Sequence, residues 1–518
     1  MRLTAARQTR EITAMQHKNV LEYLEATAQR VPDKVAFAGD DCELTFAQLH
    51  EQSRAVGSSL LIEGISGEPV VVFMSKSPVE TAAFFGCIYA GCSYVPIDPE
   101  MPRFRTELIF RKLSPRAVIC RKDELSELES YDYDGKILCY EDMISGGIDD
   151  ETLGEIRRRQ IDTDPIYIMY TSGSTGVPKG VIACHRSVID YIEKLSEVLG
   201  ITQDTVFANQ TPLYFDASMK EVYPTIMFGA TTYLVPKQLF MFPLKLIEYL
   251  NEHKVNTICW VVSALVIVSS LGALKSAKPE YLKTVAFGGE VFPVKQFGRW
   301  KEALPEAEFF NLYGPTEITG VCCYYRVDRE FEKGETIPVG KAFDNTDVFL
   351  LTDDNKRAQQ GEVGEICVRG TSVTLGYYND FERTSEAFVQ NPLNDKYPEI
   401  IYKTGDLGKL NERGEIVFVS RRDHQIKHMG HRIELGEIEV NVGMLGGVAM
   451  CACLYNKQKD KIELFYTGDT EQAQLLAVLK EKLPRYMLPN RITRLEKMPL
   501  TVNGKIDRVY LQGEIDKV

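Results

Sequence analysis

The stretch IYIMYTSGSTGVPKG (166–180) opens as an apolar run and ends in a loop holding three glycines, two serines, two threonines and one lysine. A helical pattern, HRSVIDYIEKLSEVL (185–199), follows it. Strand, glycine-rich loop and helix together form a setting for an anion. Glycines let backbone N–H groups approach oxygens closely, and hydroxyls and a lysine add donors and charge. The loop is not a Walker A motif, because Lys179 lies between Pro178 and Gly180 instead of preceding Ser or Thr. Pro178 has no N–H, so the amides cannot wrap a phosphate without a break. Read alone, the stretch also fits a Gly/Ser/Thr linker.

Outward from the loop, short apolar runs alternate with helical patterns. VVVFM (70–74), YVPI (94–97), AVIC (117–120), TTYLV (231–235) and TVAFG (284–288) read as buried strands, and VETAAFFGCIYAGC (79–92) reads as an apolar helix. That alternation predicts parallel sheets covered on both faces. After about residue 340, DVFLLTDDN, GEICVRG and GEIVFVS predict short antiparallel strands of a barrel-like portion. Beyond RRDHQIKH the chain reads as a small α+β module. The expected fold class is α/β. A large N-terminal domain (1–420) of mixed and parallel sheets with flanking helices precedes a small mobile C-terminal domain (421–518).

The 518 residues exceed one ordinary core. A net charge of −13 argues against a broad nucleic-acid surface. Val255–Leu274 is uncharged and long enough to span a bilayer, but its polar residues and β-branched start favour a buried strand running into a buried helix. MRLTAARQTREITAM has no apolar core of a secretory signal, and the twelve cysteines contain no CxxC pair. Reduced thiols in a cytoplasmic protein are expected.

The order of motifs resembles the adenylate-forming superfamily, most closely the amino-acid-activating adenylation domains of nonribosomal peptide synthesis. It is carried by LTFAQL (44–49), YAGCSYVPIDP (89–99), YTSGSTGVPKG (170–180), YFDAS (214–218), NLYGPTE (311–317) and GEICVRGTSVTLGYYN (364–379). It continues through YKTGDL (402–407), RRDHQIKHMGHRIELGEIE (421–439), LPRYMLP (483–489) and NGKIDR (503–508). The resemblance implies ATP and Mg2+ as cofactors. Thr171, Ser172, Gly173, Ser174, Thr175, Gly176 and Lys179 then handle the departing phosphates. Asn311, Tyr313, Gly314 and Thr316 belong to the nucleotide site, with Tyr313 as an adenine wall. Glu317 holds the metal, Asp406 accepts from the ribose hydroxyls, and Arg421 approaches the ribose–phosphate region. The family has Gly-Arg where this chain has Ser420-Arg421. Lys505, with Lys179 and Thr175, is implied in catalysis, and Asp423 is the hinge about which Lys505 and the segment around Gly430 exchange places.

Asp216 implies an amino acid as substrate, since a buried ammonium needs a charged partner. The remaining pocket positions carried over are Phe215, Ala217, Lys220, Cys259, Ala286, Gly288, Leu312, Gly320 and Val321, with Lys505. Lys220 lies four residues after Asp216, so on a helix the two share a face. It is either a partner of Asp216 or a cation aimed at an acidic substrate side chain, and Gly288 and Gly320 leave room. AFGGEVFPVKQ and EVYPTIMFGATTYLV look like the D-alanine–carrier ligases. Thirteen residues follow Lys505 and no HHxxxDG motif occurs. A stand-alone ligase loading a separate phosphopantetheinylated carrier protein is therefore expected, with an excised piece of a larger synthetase as the alternative. An acyl-CoA ligase and a catalytically dead nucleotide-binding partner are the readings from other classes. Neither nucleic acid nor membrane insertion is expected.

Overall fold

The computed structural model describes residues 17–173, 176–332, 335–422, 425–500 and 506–516. Within them, the apolar runs build two large sheets. The first orders its strands Lys136–Cys139, Ala117–Cys120, Pro69–Phe73, Ser93–Ile97, Pro165–Thr171, Lys179–Cys184. All neighbours in it are parallel except the last pair. Along Pro69–Phe73, Val70 and Val72 enter one core while Val71 and Phe73 enter another, so the strand is buried on both faces and shows no polar alternation.

The second sheet has nine strands. Its parallel centre runs Glu308–Tyr313, Thr284–Gly288, Thr257–Val261, Val206–Asn209, Thr231–Leu234 and Val35–Ala38, with antiparallel strands at both edges. Helices that include Phe46–Ile62, Pro78–Tyr89, His185–Leu199 and Met219–Phe228 contribute to the core shared by the two sheets. The apolar stretch after Val255 is the expected strand, Thr257–Val261, followed by helix Val262–Ser270. Among the described residues no helix is long and apolar enough to cross a membrane. Trp260 and Trp300 are fully buried on the outer face of this sheet, their indole N–H groups donating to the carbonyls of Ala208 and Leu265.

The barrel-like expectation holds as a five-stranded antiparallel sheet that includes Thr346–Leu351, Val363–Gly370, Ile400–Leu410 and Ile416–Arg421. A short hairpin, Gln425–His428 with His431–Glu434, precedes helix Leu435–Gly443. A three-stranded sheet and helix Gln472–Lys482 close a separate C-terminal core around Ile438, Leu464 and Leu479.

Candidate active site

Ligands of open α/β sheets sit beyond the carboxyl ends of the parallel strands. Here Glu308–Tyr313 ends in the turn Thr316–Ile318, where Thr319 and Gly320 take positive φ and send the chain back as Cys323–Arg326. Gly314 allows the reversal, because a Cβ there would overlap the Gly320 carbonyl. The turn leaves Glu317 at the mouth of the sheet.

The glycine-rich loop departs from expectation. Strand Pro165–Thr171 leads into a second strand, Lys179–Cys184, with Thr171 opposite Lys179. The loop is therefore the tip of a β-hairpin, and helix His185–Leu199 begins only at the far end of the second strand. KGVIAC is apolar and β-favouring enough to pair along the first strand, so the helix dipole is not what the loop offers an anion. Gly173 is required, since a Cβ would overlap the Val177 carbonyl.

The hairpin brings Lys179 to Glu317, 138 positions away. Lys179 Nζ lies 3.0 Å from Glu317 Oε1, which also accepts from the Tyr377 hydroxyl at 2.8 Å. Arg432 Nη1 donates to Glu317 Oε2 at 2.6 Å. Glu317 is wholly buried. Burial would raise its carboxyl, but Arg432 and Lys179 outweigh that and hold it well below the usual carboxylate range. Burial lowers the Lys179 ammonium, against the pull of Glu317. A Mg2+ ion fits this donor set: a buried carboxylate suits a hard cation, and the nearby Thr171 Oγ1 is buried with no partner among the described residues.

Asp406 sits close by, on strand Ile400–Leu410. Its Oδ2 accepts from the Tyr313 hydroxyl at 2.6 Å and its Oδ1 from Arg421 Nη1 at 2.8 Å. A cavity of about 310 Å³ opens beside this group. Six cations line it (Lys179, Arg383, Lys403, Arg421, Arg422 and Arg432) against three acids, Glu365, Glu386 and Glu434. That balance favours a polyanion. The side chain of Asn311 is bound to the Pro338 carbonyl at 2.8 Å, and Thr316 is buried.

The pocket positions come together on the other side of Glu317. Cys259, Ala286, Leu312 and Val321 share one apolar cluster with Tyr167 and Tyr191. Asp216 and Ala217 lie on a 3-10 turn, and Lys220 on the first turn of helix Met219–Phe228. The shared helix face for Asp216 and Lys220 is thus corrected: the backbone changes helix type between them, and they form no ion pair. Lys220 is 7% exposed and has no hydrogen-bond or ion-pair partner among the described residues. Burial raises the Asp216 carboxyl, with Lys220 and Thr316 opposing. The hydroxyls of Tyr167 and Tyr191 and Oε1 of Glu221 are also buried without partners among the described residues. Gly320 faces Tyr191 and Asp216. Gly288 offers no such room, because its missing Cβ is covered by the Leu312 carbonyl of the adjacent strand.

A family model described as AMP-binding enzyme matches residues 24–378. The chain belongs to this AMP-binding family. D-alanine–D-alanyl carrier protein ligase of Bacillus licheniformis is 31% identical over 512 residues, covering 96% of this chain and 99% of the relative. Tyrocidine synthase 1 of Brevibacillus parabrevis is 29% identical over 96% of this chain, which spans only 45% of that larger protein. Among solved structures, the adenylation domain AlmE of Vibrio cholerae, in complex with glycyl-adenosine-5'-phosphate, superimposes with a TM-score of 0.83 at 20% identity. That match covers 97% of this chain and 99% of AlmE and shows the shared fold.

For a member of the AMP-binding family, the reading by motif named the segment around Gly430 but assigned nothing to its neighbours Lys427, His431, Arg432 and Glu437. Lys427 stands 5.9 Å over the Tyr313 ring, within electrostatic reach of Asp406 and Asp216. Gly430, at φ 80°, donates its N–H to Glu290 Oε1 at 2.8 Å. His431 stacks on Tyr486 at 3.7 Å and faces Phe215 at 5.0 Å. Arg432 and Glu437 lie in the quoted motif HRIELGEIE, but their partners are fixed only by the fold. Ser174, Thr175, Asp423 and Lys505 lie outside the described residues.

Proposed function

We propose that the protein joins an amino acid to the AMP of ATP, releasing pyrophosphate, and then passes the aminoacyl group to the phosphopantetheine thiol of a separate carrier protein. The observation that carries this reading is the buried Lys179–Glu317 pair at the tip of the glycine-rich hairpin, beside the basic cavity. As the substrate carboxylate forms its bond to the α-phosphorus, the bond to pyrophosphate breaks and charge builds on the phosphate oxygens. Lys179 offsets that charge in a site shielded from water, and Lys505 is proposed to do so from the C-terminal side. Glu317 would hold Mg2+, which when bound would supply positive charge at the phosphates. Asp406 orients the ribose, with Tyr313 and Arg421 fixing its carboxylate. Asp216 pairs with the substrate ammonium and Phe215 borders it. Residues 421–518 act as a unit turning near Asp423. The contact of Gly430 with Glu290 supports reading this arrangement as the one for transfer.

The substrate side chain is proposed to be acidic, because Lys220 is buried at the pocket and makes no direct hydrogen bond or ion pair among the described residues, meeting Asp216 and Glu221 only at longer range. The full-length match to a D-alanyl carrier ligase supports D-alanine as the second reading. Amino-acid-dependent exchange of pyrophosphate into ATP, run with L-Glu, L-Asp, L-Ala, D-Ala and L-Cys, separates them. Preference for an acidic substrate that disappears in Lys220→Glu is the expected result. An unchanged preference sinks the acidic reading, a D-Ala maximum selects the second, and no exchange with any amino acid removes the adenylation reading itself. Lys505→Ala is expected to abolish exchange while sparing transfer from preformed aminoacyl adenylate.

A further inference from the structure

Helix His185–Leu199 buries Val188, Tyr191, Ile192, Leu195 and Leu199 along one face. At that spacing an apolar side chain completes a core. Position 191 carries a tyrosine instead. Its ring belongs to the cluster that holds Cys259, Ala286, Leu312 and Val321, and the residue is 1% exposed. Its hydroxyl has no hydrogen-bond partner among the described residues. A phenol buried in this way costs stability that a phenylalanine would not. Gly320 shows what the hydroxyl faces. A Cβ added there would lie 3.4 Å from the Tyr191 hydroxyl and 3.8 Å from Asp216 Oδ2. The phenol and the carboxylate therefore border one space, kept open by a residue without a side chain. Burial, with Asp216 and Cys259 nearby, pushes the phenol well above its ordinary value, so it keeps its proton and can donate.

We propose that Tyr191 is a specificity-determining residue whose hydroxyl donates to a carboxylate on the β-carbon of the substrate, which makes aspartate the preferred amino acid. The inference rests on the adenylation reading and on Asp216 as partner of the substrate ammonium. With the ammonium on Asp216, the Tyr191 hydroxyl stands close to the substrate α-carbon. A carboxylate on the β-carbon reaches it directly. Glutamate carries its carboxylate one carbon further, and the methyl group of alanine leaves the hydroxyl unpartnered. Lys220 supplies the balancing charge at longer range. A site built to hydrogen-bond a substrate group discriminates strongly against substrates that lack it.

The test is amino-acid-dependent exchange of pyrophosphate into ATP with the panel above, run on the unaltered full chain and on Tyr191→Phe. The unaltered protein is expected to favour L-Asp over L-Glu and L-Ala by at least about tenfold in kcat/KM. Tyr191→Phe is expected to lower the L-Asp to L-Ala ratio by about ten- to a hundredfold, mainly through KM, because a hydrogen bond to a charged group is lost. A merely structural role would weaken both substrates alike and leave the ratio where it was. The melting temperature of Tyr191→Phe is expected not to fall, since the hydroxyl removed has no partner. If that variant fails to fold, the ranking in the unaltered protein still decides. A lead by L-Glu, alanine or any other amino acid overturns the proposal, as does an L-Asp to L-Ala ratio that Tyr191→Phe leaves unchanged. Exchange with no amino acid at all removes the adenylation reading itself, whereas exchange with the wrong ranking or an unmoved ratio sinks the role of Tyr191 alone.

Discussion

At the phosphate end, Glu317 has both carboxylate oxygens engaged, by Lys179, Tyr377 and Arg432. Around the pocket positions, the Glu221 Oε1 and the hydroxyls of Tyr167 and Tyr191 are buried without partners among the described residues. Unsatisfied buried groups cost a fold stability, and rule-breaking of this kind concentrates where a protein meets its ligands. Glu317 is satisfied because the chain supplies its counter-charges, while Thr171 Oγ1 on the same hairpin stays without a partner among the described residues. On the proposed reading, a substrate would supply the partners missing around the pocket positions.

Substitutions probe that contrast by the sign of their effect. Lys179→Met is expected to lower pyrophosphate exchange by at least about 100-fold. It also leaves a buried carboxylate short of a partner and should reduce unfolding free energy by about 3 kcal/mol in a urea titration. Lys220→Met should abolish any preference for an acidic substrate, and by removing the cation that opposes them it should push the Asp216 and Glu221 carboxyls further up. An unchanged substrate preference in Lys220→Met would break the contrast.

Glu221 sharpens it through pH. Burial, opposed first by Lys220 and then by Asn209 and Lys76, raises its carboxyl to about 8. Because the folded value lies above the unfolded one, the native state holds the extra proton between them. Its contribution to stability is present at low pH and is lost as pH rises toward 8, at up to about 1.4 kcal/mol per pH unit. Glu221→Gln lacks this loss, so its melting temperature should gain on the unaltered protein from pH 5 to pH 8. Parallel pH profiles would contradict the assignment. The smallest effect is expected at Pro178, where Gly loosens the hairpin tip and should cost about 1 kcal/mol or less. Unaltered pyrophosphate release in that variant would leave the proline with a purely structural role.

Much of the fold was legible because buried strands announce themselves. AVIC and TVAFG coincide with Ala117–Cys120 and Thr284–Gly288, since every residue in them is buried. The stretch after Val255 resolved as strand then helix for the same reason, its length being shared between two elements. The loop was misjudged because period alone does not reveal that KGVIAC pairs back along the strand before the helix starts. Gly288 was misread as space because the filling atom is a carbonyl of the neighbouring strand. The engagement of Arg432 and Glu437 was illegible in principle, since their partners lie 115 and 264 positions away and depend on where the C-terminal segment docks.

The two tryptophans set what light can report about this molecule. Trp260 and Trp300 lie in one core on the outer face of the nine-stranded sheet, with both indole N–H groups bound to carbonyls. Intrinsic emission therefore follows the melting of that core. Tyr486 lies against His431, with Phe215 6.4 Å beyond. A third indole introduced there, Tyr486→Trp, gives the hairpin its own fluorescent signal, whose emission shifts when the indole leaves the buried stack with His431 and meets water.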